Sequence, residues 1–282
     1  MKSSLNPHEA GHDPELPVVR SIIDGLYERT GYDFRDYAIA SLKRRLKRQA
    51  FQEGSLTLGE MHDLIISDSV AQARLLVALT VHVTAMFRDP GFFLLFRQQI
   101  VPLLHTYPFL RFWIAGCSTG EEVYSLAILL QEEGLYSRCR IYATDLSDIV
   151  LDRARTGIYP LACMQDYTRN YQKAGGRHAF SDYYTADSEF ALFRPHLREN
   201  VIFAAHNLAT DASFNEFHCI FCRNVMIYFN RSLQGRAHTL FSDSLSTLGY
   251  LGLGRSETMR FSPFEHLYEP ISIKERLYRK VA

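Results

Sequence analysis

A short apolar strand runs directly into a turn of small residues in the stretch Phe112-Trp113-Ile114-Ala115-Gly116-Cys117-Ser118-Thr119-Gly120-Glu121-Glu122. The following residues, as far as Glu133, show the period of an amphipathic helix. A second apolar strand, Arg140 to Thr144, ends at Asp145, and Ser147 can cap a further helix that runs to about Arg155. Because strand and helix alternate over short connections, this region predicts an α/β fold with a doubly wound parallel sheet.

The same alternation resumes after an interruption. Residues 160–200 are rich in tyrosine and in short alternating stretches, at Phe180 to Tyr184 and at Phe190 to Phe193. These stretches predict a small antiparallel β-subdomain inserted in the α/β domain. Beyond it we expect an amphipathic helix from Leu233 to Leu248, and strands at Val201–His206, Cys219–Cys222, Tyr250–Leu253 and Leu277–Val281.

The chain before the α/β region has a different character. Helix formers dominate residues 15–80 and no β-rich run appears, which predicts a small all-helical N-terminal domain. Residues 1–14 predict a disordered tail. Residues 81–110 predict a linker and capping segment with an apolar helix from Phe92 to Leu104, which leaves residues 111–282 for the α/β domain.

One N-terminal helix, roughly Phe34 to Phe51, has a divided surface. Its apolar stripe contains Ile39, Leu42 and Leu46. The opposite stripe is cationic and consists of Lys43, Arg44, Lys47 and Arg48. Such a stripe is either an ordinary solvated face or a docking surface for an acidic partner, and the helix alone leaves both interpretations open.

Composition and charge limit the possible functions. The 282 residues are 47% hydrophobic and 22% charged, enough for a sizeable core. The 31 basic and 31 acidic residues balance, which disfavours a protein that coats nucleic acid. No run approaches the ~18 apolar residues that span a bilayer, and the start of the chain lacks the apolar core of a signal peptide. We therefore expect a cytoplasmic protein that is not inserted in a membrane.

The five cysteines do not predict a disulfide framework or a metal site. Scattered thiols without an export signal are typical of a reducing compartment. Cys219 and Cys222 form a C-x-x-C pair within a predicted strand, where residues three apart point to opposite faces. Because no second pair completes a zinc site, we expect no metal.

The turn after the first strand predicts a binding site. Gly116 and Gly120 allow a ligand to approach the backbone, and the helix that follows offers free N–H groups at its N-terminus. Asp145, at the end of the next strand, can accept hydrogen bonds from both hydroxyls of a ribose. The absent G-x-G-x-x-G pattern argues against a dinucleotide. The turn therefore favours another nucleoside-containing cofactor, with packing alone as the alternative.

A second polar cluster follows another apolar strand. Arg223, Asn224 and Tyr228 come after the strand that ends at Cys222. In open α/β sheets this edge faces the ligand crevice, so the cluster is more typical of a site than of a scaffold.

Five segments together resemble the chemoreceptor methyltransferases, the CheR family of bacterial chemotaxis. They are Thr84-Ala85-Met86-Phe87-Arg88-Asp89, Ala115 through Glu122 with Tyr124-Ser125, Ala143-Thr144-Asp145, Asn207-Leu208, and Cys222-Arg223-Asn224-Val225-Met226-Ile227-Tyr228-Phe229. Their order and spacing match as well. The resemblance covers nearly the whole chain after residue 15.

The resemblance implies methylation of glutamate side chains on the cytoplasmic helices of chemoreceptors, for sensory adaptation. S-adenosylmethionine (SAM) would be the cofactor, and glutamyl methyl esters and S-adenosylhomocysteine (SAH) the products. It also implies a helical N-terminal domain before a Rossmann-like domain with a β-subdomain. A glutamate carboxylate, with a pKa of about 4.3, is already ionised at pH 7, so no general base is needed.

The resemblance also assigns roles to residues. Arg88 would orient the acceptor carboxylate, and Tyr228 would donate a hydrogen bond near the methyl group. The positions that match cofactor contacts are Thr84, Arg88, Gly116, Glu122, Asp145, Asn207, Leu208, Asn224 and Val225.

The same family likeness bears on partners and location. The stripe of Lys43, Arg44, Lys47 and Arg48 would dock on the receptor helix bundle and recruit the enzyme to receptor arrays. Some members hold a tether peptide at the receptor C-terminus with the β-subdomain. Only Gly175-Gly176 stands out there, which leaves tether binding open.

Two positions depart from the family pattern. Many members have Asn where this chain has His82, and many have Gly-His-Ser-Glu where it has Gly254-Arg255-Ser256-Glu257. These changes are typical of a divergent branch, such as one serving an alternative chemosensory pathway. Two other functions stay open: a signalling module that binds SAM or SAH with little turnover, and a methyltransferase of another acceptor. The balanced charge disfavours RNA as that acceptor.

Overall fold

The computed structural model describes residues 13–54, 56–80, 84–260 and 262–282, and divides into two compact units, Met1–Leu79 and Thr80–Ala282. The predicted tail at residues 1–14 lies outside the described residues except for residues 13 and 14. None of the described helices is both long enough and apolar enough to cross a membrane.

The first unit is helical in its described part. Its helices are α1 (Leu16–Thr30), α2 (Ile39–Gln52), α3 (Leu58–Ser67) and α4 (Ser69–Leu79). Each helix buries one apolar stripe, which α1 forms from Val19, Ile22, Ile23 and Leu26. The stripes pack on one another because a single amphipathic helix of this length is not stable alone.

The basic helix begins later than the sequence pattern predicted. α2 starts at Ile39 rather than near Phe34, because Asp33 stabilises a turn before it. The Asp33 carboxylate accepts the N–H of Arg35 at 3.0 Å and pairs with its guanidinium at 2.7 Å. The predicted apolar stripe is buried only at Leu42 and Leu46, since Ile39 is 41% exposed.

The second unit contains ten described strands. They are β1 (Leu110–Ala115), β2 (Cys139–Asp145), β3 (Ile158–Pro160), β4 (Tyr184–Ala186), β5 (Phe190–Phe193), β6 (Val201–Ala205), β7 (Phe217–Cys222), β8 (Leu245–Leu253), β9 (Tyr268–Ser272) and β10 (Leu277–Lys280). Seven form the main sheet in the order β6-β2-β1-β7-β8-β10-β9, and three form a smaller sheet in the order β3-β5-β4.

The main sheet confirms the doubly wound fold. Strands β6, β2, β1, β7 and β8 are parallel, and β10 runs antiparallel to both β8 and β9. The helices of this unit are α5 (Pro90–Leu95), α6 (Val101–Leu104), α7 (Glu121–Glu132), α8 (Asp148–Thr156), α9 (Met164–Lys173) and α10 (Arg231–Ser244). A π-helical turn, Phe96–Ile100, joins α5 to α6 within the predicted apolar helix.

The small antiparallel sheet confirms the predicted β-subdomain, but its details differ. The sequence pattern missed α9, whose buried face consists of Met164, Tyr167 and Tyr171. The alternating stretch at 180–184 is mostly a 3₁₀ turn, Phe180–Tyr183, rather than a strand. Aromatic side chains are common in strands and misled the assignment in both places.

At the other side of the sheet, one assignment was wrong and one strand was missed. The helix expected from Leu233 to Leu248 ends at Ser244, because Leu245 already pairs with Phe217 of β7. The edge strand β9 was not predicted, and it contains Pro270, a residue that strands tolerate mainly at sheet edges.

A buried carboxylate ties α7 to the β-subdomain. The side chain of Glu132 is 1% exposed and pairs with Arg97 at 2.6 Å. It accepts hydrogen bonds from the hydroxyls of Tyr171 and Tyr183 and from the N–H of Arg177. Burial acts to raise the pKa of Glu132, but the hydrogen bonds from Tyr171, Tyr183 and Arg177 and the charge of Arg97 together outweigh it, so the pKa lies below its ordinary value.

We expect Glu132→Gln to lower the free energy of unfolding of this unit by about 2 kcal/mol at neutral pH, because it weakens a buried, hydrogen-bonded charge. The folded pKa is lowered, so this stabilisation is present above the unfolded pKa and is lost as the pH falls through the folded one. Urea unfolding followed by the fluorescence of Trp113 measures the difference. Equal stability of the variant and the wild type at neutral pH would contradict the expectation.

Candidate functional site

The predicted site residues follow strands that end at one edge of the main sheet. Gly116 follows β1, Asp145 ends β2, Asn207 follows β6 and Asn224 follows β7. Because these four strands are parallel neighbours, their carboxyl ends meet at the same edge. This edge is where open α/β sheets bind ligands.

The turn after β1 is held against two neighbouring loops. The N–H groups of Gly116 and Cys117 both donate to the carbonyl of Thr144 at 2.8 Å. A Cβ on Gly116 would lie 2.5 Å from Val225, so the position beside this glycine is filled by the loop after β7. Gly120, with φ +92°, forms the N-cap of α7. Both glycines therefore serve the packing of the loops around the site.

Asp145 combines structural hydrogen bonds with spare acceptor capacity. One carboxylate oxygen accepts the N–H of Ser118 at 2.8 Å and the other accepts the N–H of Ser147 at 3.1 Å. Ser147 occupies the predicted N-cap position, although its hydroxyl makes no capping hydrogen bond. Burial raises the pKa of Asp145, and these backbone hydrogen bonds only partly offset it.

Asp145 and the neighbouring Ser118 hydroxyl fit a ribose. Each carboxylate oxygen can accept more than one hydrogen bond, so Asp145 can still receive two hydroxyls. The hydroxyl oxygen of Ser118 is buried and has no hydrogen-bond partner among the described residues. A polar ligand in this crevice would supply the partner that a buried hydroxyl normally has.

Asn207 and Leu208, the predicted adenine contacts, lie in the turn after β6. The amide oxygen of Asn207 accepts the N–H of Ala209 at 2.9 Å, which shapes a turn after β6. Leu208 is 7% exposed and gives this turn an apolar side chain. The N–H of His206 donates to the carbonyl of Asp145 at 3.1 Å and joins the turn to the end of β2.

Arg223 joins three of the predicted motifs. Its side chain is 1% exposed and pairs with Glu122 at 2.7 Å and with Asp89 at 3.0 Å. It also donates to the carbonyl of Arg88 at 2.9 Å, and its guanidinium lies 4.3 Å from the ring centre of Phe92. Burial raises the pKa of Glu122, while the charge of Arg223 acts in the opposite direction.

Arg255, which replaces the histidine of many family members, has acidic partners. Arg255 pairs with Glu275 at 3.0 Å and approaches the second oxygen of Asp89 at 3.6 Å. Acids and bases therefore alternate along a chain of contacts from Glu122 through Arg223, Asp89 and Arg255 to Glu275. The positive charge that Arg255 adds is therefore paired with acids of this chain.

The backbone around Arg88 is held in an unusual shape. Phe87 has φ +50° and Asp89 has φ +54°, values that cost about 1–3 kcal/mol for such residues. The N–H of Phe87 donates to the hydroxyl of Ser125 at 2.8 Å, and Asn170 of α9 donates to the carbonyl of Met86 at 3.1 Å. The structure thus fixes the backbone from which the Arg88 side chain extends.

Thr84 and Tyr228 are the two remaining predicted residues that the structure describes. Thr84 is half-buried at the start of the segment that leads to Arg88, and His82 lies outside the described residues. Tyr228 is half-buried in a 3₁₀ turn, Met226–Tyr228, within the loop after β7.

The predicted docking stripe is divided by ion pairs. Lys43 pairs with Asp13 at 2.8 Å and with Glu15 at 2.6 Å, and Lys47 pairs with Glu15 at 2.8 Å. Arg44 and Arg48 are exposed and make no ion pair with any described residue. The unpaired positive charge of this stripe therefore lies on its two arginines.

The sequence placed Arg223 in a polar cluster typical of a site but gave it no specific role, and it assigned no role to Asp89 or Glu257. Arg223 carried a detectable signal, because it is a charged residue placed directly after a strand of buried residues, Phe217–Cys222. Glu257 gave no such signal, since its partners are the backbone N–H groups of the loop after β7.

Comparison with known proteins gives a match over most of the chain. The family described as CheR methyltransferase, SAM binding domain, matches residues 82–275, and the family described as CheR methyltransferase, all-alpha domain, matches residues 19–80.

Individual relatives agree with these matches. The putative methyltransferase Cher3 of Pseudomonas putida is 48% identical over 262 residues, which cover 93% of this chain and 96% of the relative. The chemotaxis protein methyltransferase of Salmonella typhimurium is 30% identical over 267 residues, covering 90% of this chain and 86% of the relative. The corresponding protein of Listeria innocua is 30% identical over 229 residues, covering 80% and 84%.

We expect Asp145→Asn to weaken SAH binding roughly 10- to 100-fold, because it removes charge-assisted hydrogen bonds of about 1.5–3 kcal/mol. Burial raises the pKa of Asp145, so as the pH is lowered this carboxylate is protonated at a higher pH than an exposed aspartate would be. Wild-type affinity for SAH should begin to fall at that higher pH, and the affinity of the variant should not show this fall. Calorimetric titration with SAH at two pH values measures both effects. Asp152→Asn, at an exposed aspartate on α8, is the control, and equal losses in the two variants would refute the assignment.

Proposed function

The chain belongs to the CheR methyltransferase family, and from this premise we propose that it methylates glutamate side chains on chemoreceptor cytoplasmic helices. The observation that carries the proposal is the buried side chain of Arg223 with its hydrogen-bond partners. It joins the loop that bears Arg88 to the loop that bears Tyr228, beside Glu122 at the start of α7. An acceptor-binding guanidinium and the cofactor residues are thereby held at one sheet edge.

The residues at this edge suit the cofactor. Asp145 would hold the ribose hydroxyls, and Asn207 and Leu208 would line the adenine. Asn224 and Val225 would contact the amino acid portion together with Thr84 and Glu122. When bound, SAM supplies an electrophilic methyl group on a cationic sulfur.

The protein's task in the reaction is to orient the acceptor. The glutamate is already ionised at neutral pH, so no residue has to remove a proton. The planar fork of Arg88 suits the two oxygens of a carboxylate and can aim one of them along the line of attack. Tyr228 would donate a hydrogen bond near the methyl group.

The binding of the acceptor has to be moderate. The acceptor loses its negative charge as the ester forms. A contact that stabilises the anion more in the ground state than in the transition state therefore raises the barrier. A single half-buried arginine orients a carboxylate without surrounding it by donors. This balance suits carboxyl methylation better than tight anion binding.

The helical unit would dock the receptor. We assign this role to Lys43, Arg44, Lys47 and Arg48, with Arg44 and Arg48 carrying most of it, because Lys43 and Lys47 are already paired with acids. Docking would bring a cytoplasmic enzyme to receptor arrays. β3 and β4 are the outer strands of the small sheet, and an extended receptor tether could add to the sheet beside one of them.

We expect the wild type to transfer label from methyl-labelled SAM to cytoplasmic fragments of cognate receptors, as an ester that mild alkali releases as volatile label. Arg88→Ala should reduce this transfer at least 100-fold, because the acceptor loses its orientation. Arg88→Lys keeps the charge but not the fork, and should fall between the two.

The alternative outcomes distinguish the other functions. SAH binding without any transfer to a panel of cognate receptors would favour a signalling module. Transferred label that resists alkali would indicate an acceptor other than a carboxylate.

Reversing the charges of Arg44 and Arg48 to glutamate should lower kcat/KM for the receptor fragment at least tenfold and leave SAH affinity unchanged, because charge attraction acts on docking. Added salt should reduce wild-type activity toward that of the variant. Reversal of Arg20 and Arg29, exposed on α1, gives a variant of equal net charge. If both double variants retain full activity, or lose it equally, the docking assignment fails.

A further inference from the structure

Glu257 is a buried carboxylate that no charged side chain balances among the described residues. It is 4% exposed and follows β8 in the sequence Gly254-Arg255-Ser256-Glu257. A buried carboxylate is costly unless it is neutralised or fully hydrogen-bonded. Here the compensation comes from backbone N–H groups.

Four N–H groups converge on this one carboxylate. One oxygen accepts the N–H of Gly254 at 2.5 Å and that of Asn224 at 3.0 Å. The other accepts the N–H of Val225 at 2.8 Å and that of Ile227 at 3.3 Å. Three of these donors belong to the loop after β7, so the carboxylate acts as the internal anion around which that loop is wrapped.

The loop takes a conformation that it would not adopt without support. Asn224 has φ +62°, in the left-handed region. A Cβ on Gly254 would lie 2.6 Å from the N of Asn224 and 2.7 Å from the Glu257 carboxylate, so only glycine permits this approach. The strained turn and the glycine are both explained by the need to bring N–H groups to one carboxylate.

The loop held in this way carries much of the proposed site. Asn224 and Val225 are proposed cofactor contacts, and Tyr228 is the proposed donor near the methyl group. Val225 also fills the position beside Gly116 in the turn after β1. A displacement of the loop would therefore disturb two sides of the cofactor crevice together.

We propose that Glu257 is a positioning residue, which sets the shape of the loop after β7 and through it the affinity for SAM and SAH. The inference rests on the proposed function, since it needs the loop to contact the cofactor. Glu257 itself would not touch the reacting atoms. It acts through the backbone of residues 224–227.

Glu257→Gln is the most informative change, because it keeps the size of the side chain. The amide retains one acceptor oxygen but turns an NH₂ group toward the N–H groups that the second oxygen received. We expect SAH affinity to fall at least tenfold and the KM for SAM to rise, with a smaller effect on the KM for the receptor. Glu257→Asp keeps the charge on a shorter side chain and should recover part of the affinity.

Glu132→Gln is the matched control. It changes another buried, multiply hydrogen-bonded carboxylate, which lies at the far end of α7 from Glu122. Both variants should lose stability, but only Glu257→Gln should lose SAH affinity when binding is titrated well below the unfolding temperature. The stability loss is measured on the same samples by thermal unfolding.

Every outcome is decisive. A Glu257→Gln variant whose SAH affinity falls less than tenfold overturns the proposal. So does a Glu132→Gln variant that loses as much affinity as Glu257→Gln, since the effect would then follow from general destabilisation. Failure of the wild type to bind SAH and to transfer methyl groups would refute the proposed function itself, which is a different result.

Discussion

The guanidinium of Arg223 has to be balanced inside the protein, because its side chain is 1% exposed. Its partners come from separate parts of the chain: Glu122 at the start of α7, and Asp89 with the Arg88 carbonyl before α5. Leaving one member of a buried ion pair without its partner costs about 3–5 kcal/mol. The loops that supply these partners therefore cannot move independently, and the rest of the site is built on that restriction.

Backbone strain is concentrated in the same loops. Phe87, Asp89, Ser118 and Asn224 are four of the six non-glycine residues with positive φ in the described part of the chain. Each is retained by neighbouring hydrogen bonds or ion pairs, such as those of Phe87 with Ser125 and of Ser118 with Asp145. Strain of this kind persists only where the surroundings determine the conformation, and here those surroundings are the proposed site.

Sequence reasoning recovered the features that depend on periodicity and missed those that depend on tertiary pairing. The alternation after Phe112 predicts the parallel sheet, and the sheet edge then gathers Gly116, Asp145 and Asn224. The boundary between α10 and β8 was missed because an apolar run fits either structure until Leu245 pairs with β7. Glu257 could not be found, because its partners are backbone groups that no side-chain pattern reveals.

The charges of the site suggest where selectivity for the receptor lies. In the proposed reaction, the cofactor's positive charge and the acceptor's negative charge cancel as the methyl group moves, so strong binding of either charge opposes the reaction. The buried acids and bases around Arg223 pair with one another, and in the proposed reaction Arg88 is left to orient the acceptor. Under the proposed function, tight recognition of the receptor is better supplied by residues that do not contact the reacting groups. The exposed Arg44 and Arg48 are the proposed residues for this role, since their attraction to the receptor does not depend on the charge that the methyl transfer removes.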